Sequence, residues 1–223
     1  MIELHNVSKR FGKQMALQEV SFTIQKGEFV FITGSSGSGK TTLLRMLTRD
    51  LRPTEGEIIM GGTDISKLKP AYVYLLRRTI GVVFQDFKLL FDRTIYENVA
   101  LAMRVVGKPV EEIDHQVQQT LKLVGLWEKS YLFPSQLAGG ELQRACLARA
   151  VVTKPQTLLA DEPTGNLDPA TAWQIMHLIK KIHQKGTTIL MATHNTDIIN
   201  SMEERMIQLE MGKLVMDQAG GQI

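Results

Sequence analysis

Cysteine is nearly absent from this chain of 223 residues, since Cys146 is the sole example. An internal disulfide and a thiolate metal cluster are therefore excluded, and a reducing compartment fits best. Long apolar runs are missing too. Stretches such as residues 29–32 and 189–192 fall far short of the roughly 18 residues that cross a bilayer, and the N-terminus has no signal-type apolar core. A membrane role would have to come through a partner. Charge of one sign is also lacking. Lys plus Arg number 26 against 23 Asp plus Glu, a net +3, and the basic residues are spread rather than gathered into a tract that would hold nucleic acid. With 43% hydrophobic and 22% charged residues the composition is that of an ordinary soluble globule. The length suits one large domain or two small ones.

What is present alternates. Residues 1–7 and 16–24 read as short strands on either side of a turn near Phe11-Gly12, and residues 29–33 as a strand buried on both faces. A glycine loop over 34–39 then leads into a helix that begins near Thr41 and ends near Asp50. Residues 79–84 form a second strand candidate. Thr94 and Glu97 make a capping box, with Ile95, Val99, Ala102 and Val106 along one helical face, and Ile113, Val117, Leu121 and Val124 line the next helix. Residues 86 to about 135 thus read as a helical insert between strands. Further on, 141–152 is helical, 157–160 a buried strand, 170–184 helical, 187–192 a third buried strand, and 206–209 with 213–216 a hairpin. Strands alternating with helices predict an α/β fold with a mostly parallel sheet.

Gly34-Ser35-Ser36-Gly37-Ser38-Gly39-Lys40-Thr41 matches G-x-x-x-x-G-K-[ST] between a predicted strand and helix, the setting that a phosphate loop requires. Glycines let backbone N–H groups wrap phosphates at the positive end of the helix; Lys40 supplies charge to the β and γ oxygens, and Thr41 offers a hydroxyl to Mg²⁺. Asp161-Glu162 closes a buried strand at its carboxyl end, where open α/β sheets bind ligands. Asp161 would hold Mg²⁺ through water, and Glu162 would polarise the attacking water. Residues 137–141, Leu-Ala-Gly-Gly-Glu, open a second helix whose free N–H groups suit an anion.

Phosphate loop, Leu137-Ala138-Gly139-Gly140-Glu141, Asp161-Glu162 and His194 in this order resemble the ATP-binding-cassette ATPases over nearly the whole chain. The resemblance implies a P-loop ABC ATPase fold: a RecA-like core, an N-terminal antiparallel β part, and a helical subdomain over about 86–152 within a single domain, 1–223. It implies that residues 34–41 and Thr42 bind ATP, that Phe11 stacks on the adenine, and that Gln85 lies at the metal and reports nucleotide state. Residues 137–141 would grip the γ-phosphate of ATP on a second subunit, Gly165-Asn166-Leu167-Asp168 would lie across that dimer, and His194 would be the switch histidine beside the base Glu162. By themselves, Phe11 can be read as a core residue, Gln85 as a loop amide, and His194 as a satisfied strand-end histidine. Position 138, usually serine in the family, is alanine here. One lost hydrogen bond to a charged group is worth about 1.5–3 kcal/mol, so slow turnover is expected.

Residues 159–168, Leu-Ala-Asp-Glu-Pro-Thr-Gly-Asn-Leu-Asp, resemble the branch serving lipoprotein-release, macrolide-efflux and cell-division complexes, and residues 84–99 resemble its cell-division members. That resemblance implies a homodimer acting with an FtsX-like integral membrane protein, peripheral on the cytoplasmic face of the membrane, with ATP and Mg²⁺ as ligands and cell-wall hydrolysis as the regulated process. The alternative is the ATPase of a lipoprotein-release or macrolide-efflux transporter. A soluble cassette acting on DNA or ribosomes is disfavoured, because neither a coiled-coil insert nor a second cassette is present. The apolar cluster Phe87, Leu89, Leu90 and Phe91 is expected to be the partner's docking site.

Overall fold

The computed structural model describes residues 1–220, in two compact units: residues 1–77 with the chain from Thr188 onward, and Arg78–Thr187. In the first unit, β1 (Ile2–Phe11) and β2 (Gln14–Ile24) form an antiparallel hairpin around Gly12. β3 (Phe29–Thr33) is buried along its whole length and feeds α1 (Lys40–Leu47). The helix stops three residues before the expected Asp50. Arg49 turns left-handed (φ 57°) and drives its guanidinium inward, where Nε donates to the Ile65 carbonyl at 2.6 Å and Nη2 to Leu68 at 3.1 Å. β4 (Glu55–Met60), β5 (Thr63–Asp64) and α2 (Val73–Arg77) follow. β4 pairs with the free edge of β1 and completes an antiparallel sheet in the order β2-β1-β4-β5.

The second unit begins with β6 (Ile80–Val83), continues through α3 (Ile95–Val105), α4 (Val110–Leu123) and α5 (Gly139–Val151), and ends with β7 (Thr157–Asp161) and α6 (Pro169–His183). β6 and β7 are parallel. The box expected at Thr94 is formed: Thr94 Oγ1 accepts from Glu97 N, and Glu97 Oε2 accepts from Thr94 N at 2.8 Å. The buried face of α3 is Ile95, Val99, Ala100 and Met103, with Asn98 among them, whereas the expected Ala102 and Val106 are half-buried at its margin. On α4 the four expected apolar residues are all buried.

Back in the first unit come β8 (Thr188–Ala192), α7 (Thr196–Met202), β9 (Arg205–Glu210) and β10 (Lys213–Gln218). β3 lies between β8 and β9 and runs parallel to both, and β10 closes the edge antiparallel to β9. These parallel strands are near-continuous apolar runs because both faces are covered. β3 thereby delivers its carboxyl end, and the glycine loop after it, to a fixed position.

Candidate functional site

The first unit holds the phosphate loop. Gly34, Gly37 and Gly39 take φ of 140°, 78° and 109°. At Gly34 a Cβ would fall 2.1 Å from the Leu209 carbonyl oxygen, so backbone approaches backbone where no side chain fits. Lys40 lies buried along the loop, and its ammonium donates to the carbonyls of Gly34 at 2.7 Å and Ser35 at 3.0 Å. Lys40 thus bends back onto the backbone of the loop itself. Ser38 Oγ is buried without a protein partner, and α1 starts with neither a side-chain cap nor an acidic residue in its first turn. An orphaned hydroxyl, a helix start without a side-chain cap and a buried ammonium together fit an anionic group such as the phosphates of ATP. Thr41 is exposed at the helix start, and Ser35 and Ser36 are exposed in the loop.

Phe11 ends β1 as a residue 46% exposed, with the Lys9 ammonium 5.1 Å from its ring centroid, which removes the core reading. His194 is exposed one residue past the buried Thr193, and Asn195 caps α7 by accepting from Ile198 N.

The second unit carries the remaining candidates. Gln85 is exposed two residues beyond β6. Asp161 is the half-buried last residue of β7, and Glu162 follows in left-handed backbone (φ 48°), with its carbonyl accepting from Gly165 N at 3.1 Å. Such an outlier costs on the order of 1–3 kcal/mol and persists at sites where the surroundings force it. Asp168 Oδ1 accepts from Thr171 N at 3.0 Å and caps α6, and that bonding to Thr171 holds its carboxyl below the usual range. The starts of α5 and α6 are brought together. A Cβ on Gly140 would meet Thr171 Cγ2 at 2.4 Å, so glycine there lets residues 139–140 lie against the segment 165–171.

Ala138 is the N-cap of α5 and has no oxygen with which to cap it. Glu141 bonds backwards instead: Oε2 accepts from Ala138 N at 3.2 Å, and Oε1 pairs with Lys129 Nζ at 2.6 Å. The Lys129 bond leads the causes that keep the Glu141 carboxyl below its ordinary value. At the other end of α5, Arg149 donates to the carbonyls of Phe87 and Lys88. Lys129, Arg149 and Asn98 escaped the sequence reading. A legible signal existed for Arg149, a lone cation in the apolar run 145–152.

Residues 17–165 match the family model of the ABC transporter. The chain belongs to the ABC transporter ATPase family. Over all of its length it is 47% identical to FtsE, the cell division ATP-binding protein, of Streptococcus pneumoniae serotype 2 (strain D39), covering 97% of that protein. It is 45% identical to FtsE of Bacillus subtilis (strain 168), covering 98% of it, and 47% identical over 96% of its own length to FtsE of Escherichia coli (strain K12), covering 97% of that chain. Its fold superposes over the full length of both chains on the dimeric ABC transporter cassette MJ0796 (TM-score 0.91, 36% identity). The post-hydrolysis dimer of MJ0796 bound to ADP and phosphate gives a TM-score of 0.90 at 35% identity.

This ABC ATPase thus has the cassette fold, with the antiparallel sheet at its N-terminus and a mostly parallel one with helices. Among the described residues no helix is long and apolar enough to cross a membrane.

Proposed function

We propose that the protein is the ATPase of a cell-division complex, working as a homodimer on the cytoplasmic face of the membrane with an FtsX-like integral membrane protein and coupling its ATP cycle to the control of cell-wall hydrolysis. The full-length likeness to FtsE of several bacteria carries this reading and favours it over the lipoprotein-release and macrolide-efflux alternative. Residues 86 to about 152 serve as the helical subdomain that faces the partner.

In this reading residues 34–42 bind the phosphates of ATP and Phe11 stacks on the adenine. Residues 138–141 grip the γ-phosphate of ATP on the second subunit. Thr41 and Gln85 would hold Mg²⁺ directly and Asp161 through water, a set of hard oxygen donors that suits the ion. When bound, Mg²⁺ would offset the negative charge of the phosphate oxygens. Glu162 accepts a proton from water as that water's oxygen attacks the γ-phosphorus in line and ADP departs, and His194 steadies the γ-phosphate. The strained backbone at Glu162 supports this role, because it fixes where the carboxylate leaves the strand end.

Replacement of Glu162 tests the base and the dimer together. Glu162→Gln should lower kcat about 100-fold or more, within the range of general-base effects, while ATP still binds. Size-exclusion chromatography with ATP and Mg²⁺ should then show a trapped dimer. A persistent monomer with undiminished hydrolysis would remove both roles.

A further inference from the structure

Beyond Gln85 the backbone turns in an unfavourable hand. Phe87 and Lys88 take φ of 60° and 51°, and Lys88 N donates to the Asp86 carbonyl at 2.6 Å, which closes a three-residue turn around Phe87. Turns of this hand are rare, and two successive left-handed residues with side chains persist where their surroundings force them. The forcing comes from α5. Arg149 Nη2 donates to the Phe87 carbonyl at 2.9 Å and Nη1 to the Lys88 carbonyl. Cys146, one helical turn earlier, donates from Sγ to the same Phe87 carbonyl at 3.1 Å. An ion pair of 2.6 Å between Lys88 and Asp86 ties the turn to itself.

Arg149 is held for this purpose at some cost. Burial lowers its pKa, and among the described residues no carboxylate pairs with it. Its planar fork spends its N–H groups on two consecutive carbonyls, and a lysine ammonium cannot span the two in that fixed geometry. The carbonyls face Arg149 because the chain at 87 and 88 is left-handed; relaxing either residue would swing its peptide plane away.

We propose that Arg149 is a positioning residue for Gln85. It sits in the last turn of the helix that begins at residues 139–140, so a displacement of α5 carries the 86–88 turn, and Gln85 before it, along with it. The two glycine-rich and glutamine-bearing segments of this unit are thereby joined by one rigid helix. The proposal rests on the role given to Gln85 above.

Arg149→Met should lower kcat roughly tenfold or more, about 1.4 kcal/mol per tenfold on the barrier, and leave the affinity for a fluorescent ATP analogue unchanged, because the phosphate loop belongs to the other unit. Amide exchange at Lys88 should quicken roughly tenfold as its bond to Asp86 opens. Arg149→Lys keeps the charge and loses the fork, so it should show the same two effects in a helix that still carries its cation. Adding Lys88→Gly to Arg149→Met should restore most of kcat, since glycine takes the left-handed form without strain. A loss of kcat that Lys88→Gly does not mend, or unchanged exchange at Lys88 in both variants, overturns the proposal. Gln85→Ala with parental kcat overturns the role of Gln85 instead, and exchange at Lys88 still reports on the clamp.

Discussion

At the residue scale, Ala138 stands where the resemblance to the ATP-binding cassettes leads one to expect serine. The α5 N-cap lacks a hydroxyl, and the back-reaching carboxylate of Glu141 accepts from one main-chain donor there. A serine would restore a cap worth about 1 kcal/mol to the helix and a hydrogen bond to phosphate. Ala138→Ser should therefore raise both Tm and kcat, measured by melting and by steady-state hydrolysis at matched dimer fraction. Equal or lower kcat would show that the N–H groups of Gly139 and Gly140 with the helix dipole already supply the grip. Most single-residue positions were legible here because motif spacing carries them: the glycine loop, the Thr94 cap and the Asp161-Glu162 strand end stand where the sequence placed them. The partners of Arg149 were not, because they are main-chain carbonyls; only its place as a lone cation in the apolar run 145–152 marked it.

Among elements, buried strands read best. β3 and β7 are bounded by glycine or acid and matched expectation to within a residue, whereas residues 54–78 yielded no reading. β4 opens on Glu55-Gly56-Glu57 and buries little besides Ile58 and Met60, and β5 and α2 are too short for a period to emerge. α7 escaped for the same reason, although Asn195 is a serviceable cap signal. The loop before α3 shows the opposite case, one side chain ordering a segment. Asn98, fully buried, accepts from Leu90 N at 2.8 Å and donates to the carbonyls of Leu90, Arg93 and Thr94. This splits the expected docking cluster. Leu89 is buried and Phe87 half-buried, whereas Leu90 and Phe91 are 42% and 59% exposed. An apolar anchor at an interface centre can contribute about 2 kcal/mol or more, so Leu90→Ser with Phe91→Ser should abolish co-purification with the FtsX-like partner while Tm and ATP binding hold. Wild-type recovery of the complex would move the docking surface elsewhere.

For the whole molecule, the lone cysteine links stability to pH. Burial pushes the Cys146 thiol up to about 12, while in the unfolded chain it returns to about 8.5. The stabilisation of the neutral thiol is complete below about 8.5 and is lost as pH rises toward the folded value, by at most about 1.4 kcal/mol per pH unit. Cys146→Ala removes this titration, so urea melts at rising alkaline pH should show the stability gap between parent and variant narrowing. A gap independent of pH would mean that the thiol ionises alike in both states. The first compact unit is assembled from both ends of the chain; the sequence suggested a helical insert between strands, but no local pattern marks the bounds at 78 and 187 or announces that joining.

That joining bears on the protein's birth. The wall behind Gly34 is the carbonyl of Leu209 in β9, and the turn after that strand is tied into the same corner: Gly212 N donates to the Ser38 carbonyl at 3.2 Å, and its own carbonyl accepts from Gln18 N at 2.8 Å. Domains emerge from the ribosome N-terminus first. The glycine loop leaves the exit tunnel early, yet the strand and turn that brace it are translated long afterwards. A nascent chain carries the complete glycine motif with β2 against Gly39 but no wall behind Gly34, and the surroundings of the loop are finished when β9 docks beside β3.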